Sequence, residues 1–220
     1  MSYRTVLRSL PAERVIKRSQ FIGRASPVST AEEAQSFIEE LRAEHRQATH
    51  NCWCYRIGGK QLQERYSDDG EPSGTAGLPM LEVLRKEDVT NCVVVVTRYY
   101  GGIKLGAAGL VRAYTASCRD ALEAGEIIEV APFACVQIRY SYASAGSCDY
   151  YLREQDLFES ARSFDTAVNV TLQISPDRLS TVYEALAERT AGQLEWREGR
   201  ITHLPTRDGK IIEATGQQEF

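Results

Sequence analysis

Two glycine-rich segments carry most of the residue types in this chain that could bind a ligand or do chemistry. The first, residues 67–77, reads SDDGEPSGTAG and places the carboxylates of Asp68, Asp69 and Glu71 within four positions. Crowded carboxylates can hold a hard cation such as Mg²⁺, or bind the amino groups of a ligand or of a basic protein. A solvated turn before a helix is the simpler interpretation, but the length of the segment and its three glycines exceed what such a turn needs.

The second segment, residues 97–106, reads TRYYGGIKLG and lies between an apolar strand and the start of a helix. Backbone N–H groups and the helix dipole favour anions there, and Arg98 and Lys104 add positive charge. These features predict a phosphate or carboxylate site, although glycines in this position also let a helix pack close to a strand. Neither the Walker spacing nor G-x-G-x-x-G is present, so the two standard modes of nucleotide binding are not supported.

The alternating residues His50, Cys52 and Cys54 suggest zinc but do not form a convincing site. Neighbours on one face of a strand lie about 7 Å apart, whereas thiolate ligands lie about 2.3 Å from one metal. The sequence offers no second Cys/His pair, so we predict no metal and no cofactor. His50 is then a polar site residue or a histidine at a strand edge. Spacing alone leaves a Ser-His-Asp or Cys-His triad open, although no Gly-x-Ser-x-Gly motif occurs.

Hydrophobic periodicity indicates which elements position these segments. The first half predicts strands near residues 3–7, 15–25, 50–57, 91–100 and 127–130, with helices near 31–44, 78–86 and 107–124. Thr30 and Glu33 form a capping box for the first helix. The continuous apolar run at residues 92–96 predicts a central strand that is covered on both faces.

The second half has the element order βαββαβ, which is the ferredoxin-like pattern. Its strands are predicted at residues 133–140, 157–163, 167–174 and 194–201, and its helices at 144–154 and 175–190. We therefore expect an α+β protein with a site-bearing domain at residues 1–132, a ferredoxin-like domain at 133–205 and a flexible tail at 206–220.

Composition narrows the function classes. Apolar residues make up 43% and charged residues 25% of the 220 residues, which is ordinary for a globular protein. The N-terminus has no apolar core typical of a signal peptide, so we expect a cytoplasmic protein with reduced cysteines and no membrane partner. The net charge of −4 argues against a simple nucleic-acid clamp, but the first 30 residues hold six basic residues and one acid. If the protein contacts RNA, this basic arm and the glycine-rich segments are better candidates than the acidic second half.

Several separated motifs, in order, resemble the IMPACT/YigZ family. They are KRSQFI at residues 17–22, HNCW at 50–53, SDDGEPSGTAG at 67–77, VVVVTRYYGGIKLG at 93–106 and GLVRAY at 109–114. The resemblance covers residues 1 to about 130, and the second half resembles the small C-terminal domain of bacterial members. It implies an N-terminal α/β sandwich of the ribosomal-protein domain 2-like type and a ferredoxin-like C-terminal domain.

The resemblance also implies a role in translation. The same two folds follow one another in elongation factor G, which suggests contact with RNA, the ribosome or a translation-related protein. In the roles expected here, Arg98, Lys104 and backbone amides would hold an anion, while the acids would order the loop, bind a cation or meet a basic partner. The alternatives are an enzyme acting on a phosphorylated or small peptide-like substrate and a protein-interaction module without nucleic acid; the oligomeric state stays open. The binding residues implied by the family motifs are His50, Asp68, Asp69, Gly70, Glu71, Gly74, Arg98, Gly101, Gly102, Lys104, Gly106 and Arg112.

Overall fold

The computed structural model describes residues 2–59 and 61–212, which divide into two compact units at residues 2–130 and 131–212. Each unit contains an antiparallel sheet with helices packed on it, so the predicted α+β class is confirmed. Within the described residues, no helix combines the length and apolar character needed to cross a membrane.

The first unit is a three-layer arrangement around one sheet. Its strands and helices are β1 (Tyr3–Val6), β2 (Pro11–Ile16), β3 (Ser19–Pro27), α1 (Ala31–Glu44), β4 (His50–Ile57), β5 (Gln63–Ser67), α2 (Gly77–Lys86), β6 (Cys92–Tyr99) and α3 (Ala107–Gly125). The sheet order is β2-β3-β6-β4-β5, and β1 pairs instead with the first residues of a later strand.

The central strand β6 holds the layers together. Val93 and Val95 pack in the cluster that contains α1, whereas Val94 and Val96 pack in the cluster that contains α2 and α3. All four side chains are fully buried. This agrees with the prediction of a strand covered on both faces, because a strand between two helical layers needs apolar residues at successive positions.

The stretch predicted as one strand at residues 15–25 is instead part of a hairpin. Lys17 and Arg18 form a two-residue turn, with φ of 46° and 64°, and Ile16 pairs with Ser19 across it. Two successive positive φ values are typical of the hairpin turn that usually contains Asn-Gly. The Lys-Arg pair carries no such signal, so the strand break was missed. Strand β5 was not predicted either; it lies between the strand predicted near residues 50–57 and the helix predicted near 78–86.

The second unit has the predicted βαββαβ order. Its elements are β7 (Ile127–Tyr140), α4 (Tyr142–Glu154), β8 (Phe158–Phe164), β9 (Val168–Ile174), α5 (Leu179–Arg189), β10 (Glu195–Arg207) and β11 (Lys210–Ile211). The sheet order β10-β7-β9-β8 is the 4-1-3-2 arrangement of a ferredoxin-like fold. The first four residues of β7 belong to the first unit, where they pair with β1.

The region predicted as a flexible tail differs in its first residues. β10 continues through Arg207, Thr206 is buried, and β11 pairs back onto β10. The turn between them is Asp208-Gly209, with φ of 51° and 76°, and Asp-Gly is a common sequence for this hairpin turn. The rest of the predicted tail, residues 213–220, lies outside the described residues.

A close approach of β3 to α3 gives the first prediction. A Cβ on Gly23 would lie 2.5 Å from the carbonyl oxygen of Ser117. We expect Gly23→Ala to lower the unfolding free energy of the first unit by about 1–3 kcal/mol, the usual cost of overpacking. Urea unfolding followed by Trp53 fluorescence, in a Trp196→Phe background, measures this change.

Gly59 supplies the matched control, because a Cβ there would meet no atom within 4 Å. Gly59→Ala should therefore leave the urea midpoint near that of the parent protein. Equal midpoints for the two alanine variants would show that β3 and α3 do not depend on this close approach.

Candidate functional site

Asp68 fastens the acidic loop to the start of α2. Its carboxylate accepts hydrogen bonds from the backbone N–H groups of Gly74, Ala76 and Gly77 at 2.8, 3.0 and 2.9 Å. No side chain at the N-cap position of α2 makes this bond, so Asp68 caps the helix from eight residues away. A negative charge beside a helix N-terminus is stabilising. The predicted loop-ordering role therefore describes this carboxylate better than a cation-binding role.

Asp69 is also used within the protein. One carboxylate oxygen accepts the backbone N–H of Asn51 at 2.6 Å, and the other accepts the guanidinium of Arg42 at 2.9 Å. Asp69 and Gly70 have successive positive φ values of 42° and 86°, which turn the chain sharply after Asp68. This backbone turn and these two bonds join the loop to β4 and α1.

Glu71 and Arg98 form a buried ion pair at the centre of the predicted site. Their side chains are only 4% and 6% exposed, and Arg98 Nη1 lies 2.6 Å from Glu71 Oε1. The same carboxylate oxygen accepts a hydrogen bond from the Tyr114 hydroxyl at 2.8 Å. Burial raises the pKa of Tyr114 well above its ordinary value, so this hydroxyl stays protonated and remains a donor.

The guanidinium of Arg98 is enclosed on its other sides as well. Its Nη2 donates to the Ser19 hydroxyl at 3.3 Å, and the rings of Phe21 and Tyr100 lie at 5.3 and 5.4 Å from its central carbon. The prediction that Arg98 holds an external anion is therefore corrected. Its charge is neutralised by Glu71, because a buried guanidinium requires a partner of opposite charge.

His50 lies beside this ion pair, and its hydrogen bond to the main chain shows which ring nitrogen carries a proton. Nδ1 lies 2.8 Å from the carbonyl oxygen of Asp69, which can only accept, so Nδ1 carries a proton. Nε2 lies 3.8 Å from Glu71 Oε2, beyond hydrogen-bonding distance. His50 is thus a half-buried residue that secures the acidic loop through a backbone contact.

The cysteines next to His50 belong to the hydrophobic core. Cys52 and Cys54 are both fully buried, and Cys52 donates to the carbonyl oxygen of Asp68 at 3.0 Å. Burial raises the pKa of both thiols, which disfavours the thiolate form that a cysteine nucleophile requires. Across residues 2–59 and 61–212, no three His, Cys, Asp or Glu side chains are grouped to hold a metal.

The glycine turn after β6 packs against the β2–β3 hairpin. A Cβ on Gly101 would lie 2.1 Å from the backbone carbonyl carbon of Arg18, and the Gly101 N–H donates to the Ser19 hydroxyl at 3.2 Å. Only glycine permits this approach. Gly102 and Gly106 have φ of 81° and 73°, which also favour glycine. These contacts bring two turns that are far apart in sequence side by side.

Exposed cations lie on both turns and on α3, which follows the second turn. Within the part of the chain that the structure describes, no ion pair engages Lys17, Arg18, Lys104 or Arg112, and all four residues are exposed. α3 begins directly after the glycine turn without a side-chain cap, and Gly106 to Ala108 are exposed. We call these four cations and the first turn of α3 the basic face.

The predicted site residues therefore divide into an inner and an outer group. The inner group orders the loop and the turns, and it comprises His50, Asp68, Asp69, Gly70, Glu71, Gly74, Arg98 and Gly101. The outer group lies on the basic face or next to it, and it comprises Gly102, Lys104, Gly106 and Arg112. Lys17 and Arg18 belong to the basic N-terminal arm that was predicted as a candidate for RNA contact, although they were not among the predicted site residues.

Removal of the negative charge of Glu71 tests the inner group. We expect Glu71→Gln to lower the unfolding free energy by about 3–5 kcal/mol, because it leaves the Arg98 guanidinium buried without a counter-charge. Urea unfolding followed by Trp53 fluorescence measures the loss. Glu82→Gln is the control, since Glu82 is 47% exposed and pairs with Arg85 at the surface, where such pairs contribute about 0–1 kcal/mol. If both variants lose the same stability, the ion pair does not hold the loop.

Comparison with known proteins identifies the family. The Impact N-terminal domain profile matches residues 17–122. The IMPACT family member YvyE of Bacillus subtilis (strain 168) is 39% identical over 203 residues, which cover 92% of this chain and 94% of that protein. The IMPACT family member YigZ of Escherichia coli (strain K12) is 45% identical over 109 residues, covering 49% of this chain and 53% of YigZ.

A solved structure extends the likeness to the fold of most of the chain. The crystal structure of a hypothetical protein is 31% identical and has a TM-score of 0.56, with 89% of this chain and 96% of that chain covered. The match to YvyE extends over nearly the full length of both proteins. The chain therefore belongs to the IMPACT family.

Proposed function

We propose that the protein acts in translation by binding RNA through the basic face of its first unit. The observation that supports this proposal is a separation of charges. The acids of the loop are all engaged inside the protein, by Asp68 to backbone amides, Asp69 to Arg42 and Glu71 to Arg98. The four cations of the basic face have no acidic partner among the described residues, so their charge is available to an anionic ligand.

A ligand with several phosphates fits this face better than a single anion. Gly101 packs on Arg18, which places the β2–β3 turn beside the turn that carries Lys104 and leads into α3. Cations on separate elements can contact successive phosphates of a chain, and exposed amides at a helix start add further donors. With a net charge of −4 for the whole protein, attraction must come from this local surface.

The link to translation rests on family membership. The resemblance to this family implies a role in translation, and the fold analogy with elongation factor G also favours contact with RNA or the ribosome. The enzyme alternative has less support, because Asp68, Asp69 and Nδ1 of His50 are engaged in holding the loop. A carboxylate that caps a helix is poorly placed to act as a general base.

The salt dependence of RNA binding tests this function. We expect the protein to bind a labelled oligouridine at low salt, with an affinity that falls steeply as salt increases. Lys104→Ala should weaken binding and lower the slope of log K against log salt by about one, the value for one lost phosphate contact. Fluorescence anisotropy over a salt series gives both quantities.

Lys86→Ala is a matched control, because Lys86 is an exposed lysine at the far end of α2. It removes the same charge from the protein but not from the basic face, so its salt slope should equal that of the parent. The proposal fails if the parent protein does not bind RNA at low salt. It also fails if the two lysine variants lose the same affinity.

A further inference from the structure

Tyr100 is a large aromatic residue that the fold leaves exposed beside the basic face. Its relative exposure is 45%, although it directly follows the buried strand β6. Its backbone N–H donates to the Thr49 hydroxyl at 3.0 Å, and the next residue, Gly101, is packed against Arg18. The main chain on both sides of the ring is thus held in place, which limits the freedom of the ring.

The buried guanidinium of Arg98 supports the ring from inside. The central carbon of Arg98 lies 5.4 Å from the centroid of the Tyr100 ring, a distance at which a cation and an aromatic face attract each other. Arg98 is itself held by Glu71 and Phe21. One face of the ring therefore rests on a rigid support, while the exposed area belongs to the remainder of the ring.

The surroundings of Tyr100 combine positive charge with apolar surface. Arg18 is adjacent through its contact with Gly101, and Lys104 follows four residues later in the same turn. Ile103, which precedes Lys104 in this turn, is 39% exposed. A nucleotide in a single strand presents the matching groups, since its base has an open aromatic face and its phosphates are negative.

We propose that the ligand of the basic face is single-stranded RNA, and that one unpaired base stacks on the exposed face of Tyr100. Arg18, Lys104 and the amides of the glycine turn would contact the flanking phosphates. This inference rests on the proposed function and adds a preference for unpaired strands. The paired bases of a duplex are already stacked, so a duplex gains only the phosphate contacts.

Substitution of Tyr100 tests the stacking. Loss of one base–aromatic stack corresponds to about 5- to 150-fold weaker binding. Tyr100→Leu should therefore weaken binding of single-stranded oligouridine within this range and change binding of duplex RNA by less than about twofold. Tyr100→Phe keeps the ring and should bind like the parent protein. Tyr66→Leu is the control for the loss of an exposed tyrosine, since Tyr66 is 46% exposed in β5 of the same unit. It should bind like the parent protein, because Tyr66 is not part of the basic face.

A spectroscopic measurement on the unmodified protein keeps the test independent of folding defects. An oligouridine that contains one 2-aminopurine should lose fluorescence on binding when the probe stacks on the ring. The loss should persist in Tyr100→Phe and disappear in Tyr100→Leu. Binding to the unmodified protein without any fluorescence loss at any probe position would overturn the proposal.

The remaining outcomes separate this inference from the proposed function. Equal weakening of single-stranded and duplex RNA by Tyr100→Leu would overturn stacking while RNA binding stands. Tighter binding of the matching single-stranded DNA than of RNA would overturn RNA as the ligand. If no nucleic acid binds the unmodified protein at low salt, the proposed function fails first and the inference fails with it.

Discussion

The buried ion pair between Glu71 and Arg98 is the interaction on which the rest of the first unit's site depends. Removing two charges from water costs several kcal/mol for each ion, so such a pair persists only with close geometry and further hydrogen bonds. Tyr114 and Ser19 provide those bonds, at 2.8 and 3.3 Å. Tyr114 comes from α3, Ser19 from the start of β3 and Arg98 from β6. The pair therefore joins the acidic loop to three other elements of the unit.

This arrangement determines which charges reach the surface. The acidic loop must fold back against the sheet to place Glu71 next to Arg98. Asp68 and Asp69 stabilise this conformation by accepting hydrogen bonds from backbone amides and Arg42. The acidic segment therefore contributes little free negative charge. The glycine turn that follows β6 takes no part in the Glu71–Arg98 ion pair, and its Lys104 is exposed. A segment with three acids thus adjoins a surface that is positive.

Those parts of the fold that depend on local patterns were predictable from the sequence. The apolar run of β6 predicted a central strand, and Thr30 with Glu33 predicted the start of α1, where the Thr30 hydroxyl accepts the Glu33 N–H at 3.2 Å. The turn at Lys17 and Arg18, with positive φ at two residues other than glycine, was not predictable in this way. Lys17 and Arg18 adopt this conformation because tertiary contacts, including the packing of Gly101, outweigh their local preferences.

The composition of the two glycine-rich segments predicted a site there, but it did not predict the contacts that each residue makes. Arg98 and Lys104 have the same formal charge and lie six positions apart in one motif, yet one is enclosed and the other is exposed. The difference arises because β6 ends at Tyr99, between these two residues. A side chain on a central strand meets the core, whereas a side chain in the turn beyond it meets solvent. Tyr100 lies at this transition, with the support of Arg98 behind its ring and solvent in front. Substitutions on the strand therefore alter folding, whereas substitutions in the turn beyond its end can report on a ligand.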